Sequence, residues 1–354
     1  MRALCWEGVG KLAVRDVPEP AVRSAGDMVE IGPDVRRISV GDRVVVGSVV
    51  ACGSCWYCRT EQFSLCDNSN PQPVFTEKLW GHSPAGILGY SHAAGGYSGS
   101  HAEYIRVPFG DVGAFTVPDG VPDDSVVFAS DAMPTGWMAA DFCNLKGGEV
   151  VAVWGAGGVG QMAARSAQIL GAERVVMIDR LPERLATASQ RLGVETIDYA
   201  ETDVLEALRE MTAGRGPDAC IEAVGMESHD VGPAYAYDKA KQTVRAQTDR
   251  PTSVRQAIMA CRKGGTVSIV GVYGGLVDKF PLGAAMNKAL VLRMGQMHAQ
   301  RYIPMLLDRV AAGEIDPGYL ATHPMSLEQG ARGYEIFEKK EDGCLRTVLH
   351  PQAA

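Results

Sequence analysis

The chain has 354 residues, enough for about two domains at roughly 150 residues each, with 46% hydrophobic and 21% charged residues. That balance excludes a disordered, collagen-like or coiled-coil protein. Lysine and arginine number 34 against 42 acids, a net charge of −8 without any basic cluster, so nucleic acid is not an expected partner. The densest apolar stretch, Val44 to Cys52, is interrupted by Gly47 and Ser48 and is far shorter than the roughly 18 residues of a membrane span, so no membrane partner is expected. Met1-Arg2-Ala3-Leu4-Cys5-Trp6-Glu7 meets an acid before a signal-peptide core can form. The expected location is the cytoplasm, where nine cysteines stay reduced and a tight cysteine cluster points to metal. The 41 glycines exceed the usual share of about 7%, which signals many turns or backbone that approaches a ligand.

Residues 1–145 read as β-rich, with short apolar runs such as Arg43 to Val46 and Ala102 to Val107 set between glycine and proline. The pattern changes at Lys146-Gly147-Gly148. Val150 to Trp154 is a continuous apolar run, as in a buried parallel strand, and Gln161 to Leu170 is helical in its spacing with Gly171 as the stop. Strand Arg174 to Asp179, helix Pro182 to Leu192, strand Thr196-Ile197 and helix Val204 to Met211 follow. Strand Asp218 to Val224, helix Ser253 to Arg262 and strands Thr266 to Val272 and Ala289 to Met294 complete the series. Six strands alternating with helices predict an α/β fold with a doubly wound parallel sheet. The polar stretch Met226 to Pro251 is too long for a plain connection. After Gln300 a helix, a loop and a closing strand (Leu345 to Leu349) leave the alternation and are read as returning to the first domain.

Gly155-Ala156-Gly157-Gly158-Val159-Gly160 follows a buried strand and opens a helix, the context in which a G-x-G-x-x-G turn holds a dinucleotide. The first glycine permits the tight turn, the second lets backbone approach a pyrophosphate, and the third allows helix–strand packing. Helix-start N–H groups then face the phosphates. Asp179 ends the next strand, where an acid accepts hydrogen bonds from the adenosine ribose and repels a 2′-phosphate, which favours NAD over NADP. Arg180 beside it could attract that phosphate instead. The competing reading is a glycine turn and a surface aspartate that bind nothing.

Cys52, Cys55, Cys58 and Cys66 have the spacing C-x2-C-x2-C-x7-C, which suits one closed tetrahedral Zn²⁺ and leaves no coordination site for substrate. Such a metal fastens a lobe with little core of its own. An iron–sulfur cluster is the rival centre, and four unconnected thiols the reading without metal. Cys5, Cys143, Cys220, Cys261 and Cys344 read as small core residues.

Together these residues resemble the zinc-dependent medium-chain alcohol dehydrogenases, in particular the formaldehyde dehydrogenase-like branch. Further markers are Trp80 to Gly86, Ser130-Asp131 followed by Pro134-Thr135-Gly136, Gly271-Val272-Tyr273-Gly274-Gly275 and Leu345 to Leu349. The resemblance implies a GroES-like catalytic domain from residues 1–145 and 297–354, with the structural zinc lobe at about 52–66. The Rossmann NAD-binding domain would be 146–296. It also implies that Arg184 contacts the adenosine ribose, Val272 the nicotinamide amide through its backbone, and Arg346 the pyrophosphate. In that family a second zinc binds the alcohol as alkoxide, which gives hydride to the nicotinamide ring.

Here the chain departs from the family, which places a ligand cysteine, relay residues and a G-H-E ligand pair between its second strand and the knuckle. Val17-Pro18-Glu19-Pro20 runs almost directly into Asp27 to Val35, which matches the far side of that region, and nothing between Val22 and Ala51 is Cys or His. Of the three catalytic ligands only the one matching Asp131 remains, so the GroES-like domain is read as incomplete and the catalytic zinc site as impaired. His82, His92 and His101 are spaced too widely for a local chelate and are read as surface or internally satisfied residues. Trp80, Trp137, Met138 and Phe142 fit either a pocket wall or core. The expected function is NAD-dependent interconversion of small alcohols and aldehydes with one structural zinc per chain, in a homodimer or homotetramer formed through the strand Ala289 to Met294. Two other readings stay open: a non-catalytic NAD-binding subunit, and a zinc-independent quinone or enone reductase.

Overall fold

A computed structural model describes residues 1–8, 10–21, 31–226, 250–275 and 277–351. The interior of the stretch Met226 to Pro251, and the junction between Val22 and Glu30, lie outside the described residues. The chain forms two compact units, Met1–Pro134 with Met297–Ala354, and Thr135–Gln296.

In the first unit the strands pair two at a time. β1 (Arg2–Gly8) lies antiparallel to β2 (Lys11–Asp16). β3 (Val44–Val46) and β4 (Val49–Val50) pair with β6 (Ala114–Thr116) and β5 (Gly86–Ile87) respectively. The run Ala102 to Val107, expected as a strand, touches β1 through a single bridge, Ala3 to Ala102, and without further rungs it remains irregular. The β-rich expectation for 1–145 also missed several helices, of which the two longest among the described residues are Pro73–Trp80 and Ala132–Asp141. Pro73–Trp80 starts with proline in its first turn and stops at Gly81, whose φ of 73° is left-handed, and Ala132–Asp141 follows Asp131.

The second unit holds a six-stranded parallel sheet. In chain order its strands are β7 (Val150–Trp154), β8 (Arg174–Asp179), β9 (Glu195–Asp198), β10 (Ala219–Glu222), β11 (Thr266–Ile269) and β12 (Val291–Met294). Their spatial order is β12-β11-β10-β7-β8-β9, so the direction of winding reverses between β7 and β10. Val151, Val153, Ala163 and Ala167 pack one face of the sheet; Ala152, Ile178, Leu208 and Ile258 pack the other. Local chemistry ends the elements. Asp203 caps the helix Val204–Met211 by accepting from Leu205 N at 2.9 Å and Glu206 N at 3.0 Å, and Lys288 Nζ donates to the carbonyls of Ile258, Met259 and Cys261 at the C-terminal end of the helix Thr252–Ala260.

Several boundaries differ from the expected ones for identifiable reasons. β12 begins at Val291 because Ala289 turns left-handed at φ 52°. The helix expected from Gln161 starts at Gly158, inside the glycine run itself. β10 and β11 stop at Glu222 and Ile269 because the chain beyond each turns toward Glu222. The division between units falls at Pro134/Thr135 instead of 145/146. Ala139, Ala140 and Cys143 belong to the same buried cluster as Val151 and Val153, and a side chain at Gly136 would meet Ala163 N at 2.6 Å.

Candidate functional site

The four cysteines come together. Their sulfurs all lie within 4.8 Å of one another, with Cys52 to Cys58 and Cys55 to Cys66 both at 3.9 Å. A tetrahedral site with Zn–S near 2.3 Å requires S···S separations of roughly 3.8 Å, so this donor set fits zinc as it stands. Backbone amides turn toward the sulfurs: Cys55 N reaches Cys52 Sγ at 3.3 Å, Cys58 N reaches Cys55 Sγ at 3.5 Å and Cys52 N reaches Cys66 Sγ at 3.3 Å. Burial pushes all three affected thiols up. At Cys52 the donors Ser54, Cys55 N and Asn68 outweigh it and bring the pKa down to about 6, whereas Cys58 and Cys66 stay raised. One preformed thiolate beside reluctant thiols is what a dication would convert to four thiolates, with release of protons.

Asp131 stands apart from this lobe. It caps the turn Val127–Ser130 on the exposed surface, and its Oδ2 accepts from Ser48 Oγ at 2.8 Å. Ser48 N in turn donates to Ser130 O at 3.0 Å, which ties the β3–β4 turn to Asp131. Among the described residues, the knuckle is the one set of three or more His, Cys, Asp or Glu side chains within metal-binding reach. His82 packs on Tyr57 with ring centroids 5.7 Å apart, His92 is exposed, and His101 Nδ1 lies 3.1 Å from the Tyr334 hydroxyl. Among the described residues, Asp131 belongs to no set of three His, Cys, Asp or Glu side chains that could hold a zinc. Met138 and Trp137 are core, Trp80 is exposed, and Phe142 lies under the Arg293 guanidinium at 5.0 Å.

The carboxyl edge of the parallel sheet carries the nucleotide turn. Gly155 has φ 96°, and a side chain at Gly160 would overlap Gly155 O, so neither position accepts another residue without strain. The helix Gly158–Ile169 starts with Gly157 as its cap and no side chain engages its first amides, so Gly158, Val159 and Gly160 present N–H groups along the turn. Gly157 is where Arg184 approaches, its Nη1 at 3.5 Å from the position of a Cβ. Asp179 is nearly buried. Its Oδ2 accepts from Ala156 N at 2.7 Å, and its Oδ1 from Arg180 N and Leu181 N at 2.7 and 3.2 Å. This carboxylate therefore shapes the turn, with one lone pair left over on Oδ2 for a hydroxyl. The Arg180 side chain is exposed at the same corner. Val272 follows β11 and its carbonyl accepts from Met226 N at 2.9 Å. Arg346, in the other unit, precedes the closing strand Thr347–His350 and lies over the Phe337 ring at 5.2 Å.

The sequence reading missed Ser48, His298 and Glu222. His298 Nδ1 lies 3.0 Å from Ser64 Oγ and accepts from Ser64 N at 3.4 Å, so it grips the zinc lobe two residues before Cys66. Only Glu222 had a sequence signal, an acid inside the apolar run Ala219-Cys220-Ile221.

Comparison with known proteins gives a consistent result. Residues 7–119 match the alcohol dehydrogenase GroES-like domain, and residues 158–237 match the zinc-binding dehydrogenase family. The chain is 32% identical to an uncharacterized zinc-type alcohol dehydrogenase-like protein of Bacillus subtilis, across 99% of this chain and 100% of that one. That alignment spans 392 positions, more than the 354 residues available here. A glutathione-independent formaldehyde dehydrogenase of the same organism is 31% identical over 89% of this chain and 76% of its own length. Among solved structures, an alcohol dehydrogenase from Thermus sp. ATN1 superposes with a TM-score of 0.80 at 30% identity, covering 99% of each chain.

Proposed function

Because the chain belongs to the zinc-type alcohol dehydrogenases, a family of oxidoreductases, we propose that it binds NAD and one structural zinc and turns over alcohols poorly. The observation that carries this reading is the contrast between two sites. The knuckle brings four sulfurs to tetrahedral spacing, while Asp131 faces Ser48 in a chain with no Cys or His between Val22 and Ala51. The long alignment with its Bacillus relative supports a segment missing from this chain.

NAD, when bound, supplies hydride acceptance at its nicotinamide ring. The chain's own residues do the rest. The amides from Gly158 to Gly160 hold the pyrophosphate, Asp179 accepts from the ribose and repels a 2′-phosphate, and Val272 meets the nicotinamide amide through its backbone. Arg184, which approaches Gly157, adds positive charge for the ribose. The substrate class is a small alcohol or aldehyde, as the likeness to a formaldehyde dehydrogenase suggests. Among the described residues no set of His, Cys, Asp or Glu ligands gathers around Asp131 to hold a metal that would polarise a hydroxyl.

The proposed assembly is a dimer or tetramer through β12, an edge strand on which Val291 and Met294 are half exposed. The proposed location is the cytoplasm, on the ground that all nine thiols are free. No helix among the described residues is long and apolar enough to cross a membrane.

The deciding experiment measures zinc and NAD in the purified chain together with turnover on formaldehyde and primary alcohols. The expected result is about one zinc, bound NAD and little turnover. Two tightly bound zincs, or robust alcohol oxidation, overturns the impaired-site part and leaves the family intact. A chain that binds NADH in a stable assembly and reduces no aldehyde would favour the subunit reading instead.

A further inference from the structure

Glu222 is the last residue of β10, with no exposed surface, directly beside the point where the sheet reverses its winding. Its Oε1 accepts three hydrogen bonds, from Val224 N at 2.9 Å, Gly225 N at 2.8 Å and Ser253 Oγ at 2.7 Å. Its backbone carbonyl accepts from Val270 N and Gly271 N, both at 2.9 Å. Oε2 is fully buried and makes no hydrogen bond of standard geometry; it is packed so closely on Gly271 that a side chain there would overlap it. The Tyr273 phenol adds a favourable interaction with the carboxyl.

This one side chain thus joins two turns. The turn after β10 lies against the nucleotide turn, since a Cβ at Gly155 would sit 3.0 Å from Val224 Cγ2 and 3.1 Å from Ala223 O. It also lies against the turn after β11, since a Cβ at Gly225 would sit 2.6 Å from Val272 N. A doubly wound sheet binds a dinucleotide across its reversal point, one half on each side. Asp179 marks the adenosine side on β8, which leaves β10 and β11 under the nicotinamide side.

We propose that Glu222 is a positioning residue for the nicotinamide half of the cofactor: its buried carboxyl locks the Val224–Gly225 turn to the Gly271–Val272 turn, and so fixes the backbone groups that receive the nicotinamide amide. This deepens the cofactor reading above and rests on it. No group of Glu222 touches the reacting atoms. It acts through Val272 from β10, which lies on the opposite side of β7 from Asp179 on β8.

The test uses the full chain and two ligands, NADH and ADP-ribose, the second of which lacks the nicotinamide. Titration calorimetry on Glu222→Ala is expected to show NADH binding weakened about tenfold while ADP-ribose binding changes less than about twofold. Glu222→Gln keeps an acceptor for the same three donors and is expected to restore NADH binding to within about twofold of wild type. Where Glu222→Ala does not fold, Glu222→Asp serves instead, because losing one methylene withdraws the acceptor and predicts the same nicotinamide-only loss. Equal weakening of both ligands would make Glu222 a general structural residue and overturns the assignment, as does unchanged NADH binding in Glu222→Ala. A wild-type chain that binds neither ligand fails at the cofactor reading itself, a result distinct from all of these.

Discussion

In the unit spanning residues 135–296 each of the six strands finds neighbours in one sheet, whereas the strands of the other unit pair two at a time. The parallel sheet is built from consecutive strand–helix repeats whose contacts are largely local, and helices cover both its faces with fully buried Val, Ile, Ala and Met. In the other unit the fastenings join distant stretches of chain. Arg2 pairs with Glu103 at 2.9 Å and also with Glu328; Gln300 Nε2 donates to Val49 O at 2.6 Å; His298 holds Ser64. Aromatic side chains also stay in solvent there, Trp6 at 71% and Phe75 at 63% exposure. Such cross-links between remote stretches supplement the buried residues of this unit, and a zinc held by the four cysteines would add another. Perturbing a cross-link should therefore damage one unit and spare the other.

The largest effect is expected from the knuckle. Cys58→Ser removes a buried donor from a set whose metal is a folding element, so zinc content should fall from about one per chain toward zero. Limited proteolysis should then cut within residues 52–66 while the 135–296 unit stays resistant. Zinc content unchanged in Cys58→Ser would refute the knuckle as the metal site. Next comes Gly160→Ala, which drives a methyl onto Gly155 O. NADH affinity should fall at least about tenfold with zinc content unchanged, measured by fluorescence titration and metal analysis on the same sample. Retained NADH affinity would remove the turn from the cofactor site.

The same contrast explains what could be read from the sequence. Elements of the parallel sheet announce themselves locally: Pro182 and Gly193 bracket their helix at both ends, and an uninterrupted apolar run such as Val150 to Trp154 needs burial on two faces. The cysteine spacing is local as well, and it led directly to the sulfur cluster. In the other unit a strand exists only where a remote partner lies alongside it, and neither the bridge from Ala3 to Ala102 nor the pairing of β4 with β5 has a local signature. Ser48 and His298 stayed hidden for the same reason, because their partners are 83 and 234 residues away. Glu222 was hidden differently. Its bonds to Val224 and Gly225 are local, but its role depends on a turn some fifty residues later.

A smaller effect in the cross-linked unit follows from His298, whose pKa is lowered from 6.5 to about 4 by burial and by Arg301. The unfolded chain takes up a proton below about 6.5 that the folded chain refuses until about 4, so this residue's stabilisation is full above that window and lost as pH falls through it. Allowing for partial exposure of the ring, the loss should amount to about 1–2 kcal/mol. His298→Gln should flatten the difference in urea midpoint between pH 7 and pH 4.5. Acid release of zinc is common to both proteins and cancels in their difference. Equal slopes would mean that His298 titrates normally and carries no such strain.

The smallest effect belongs to the parallel-sheet unit and has the opposite sign in pH. Burial raises the Glu222 pKa from its ordinary value, and the donors Gly225 N, Ser253 Oγ, Val224 N and the Tyr273 phenol offset only part of that rise. The folded chain therefore keeps a proton on Glu222 at a pH where the unfolded chain has released it. Stability from this group is fully present below the ordinary glutamate range and is lost as pH rises through the raised folded value. Glutamine has no proton to lose, so Glu222→Gln should match wild type in acid and exceed it at pH 8 by less than about 1 kcal/mol. Tyr273 is present in both proteins and drops out of the comparison. Urea midpoints of the two proteins at pH 4.5 and pH 8 read the difference directly. If Glu222→Gln is instead the weaker protein at pH 8, the three donors on Oε1 hold a true carboxylate, and the two turns at the carboxyl edge are locked by charge and not by a neutral acid.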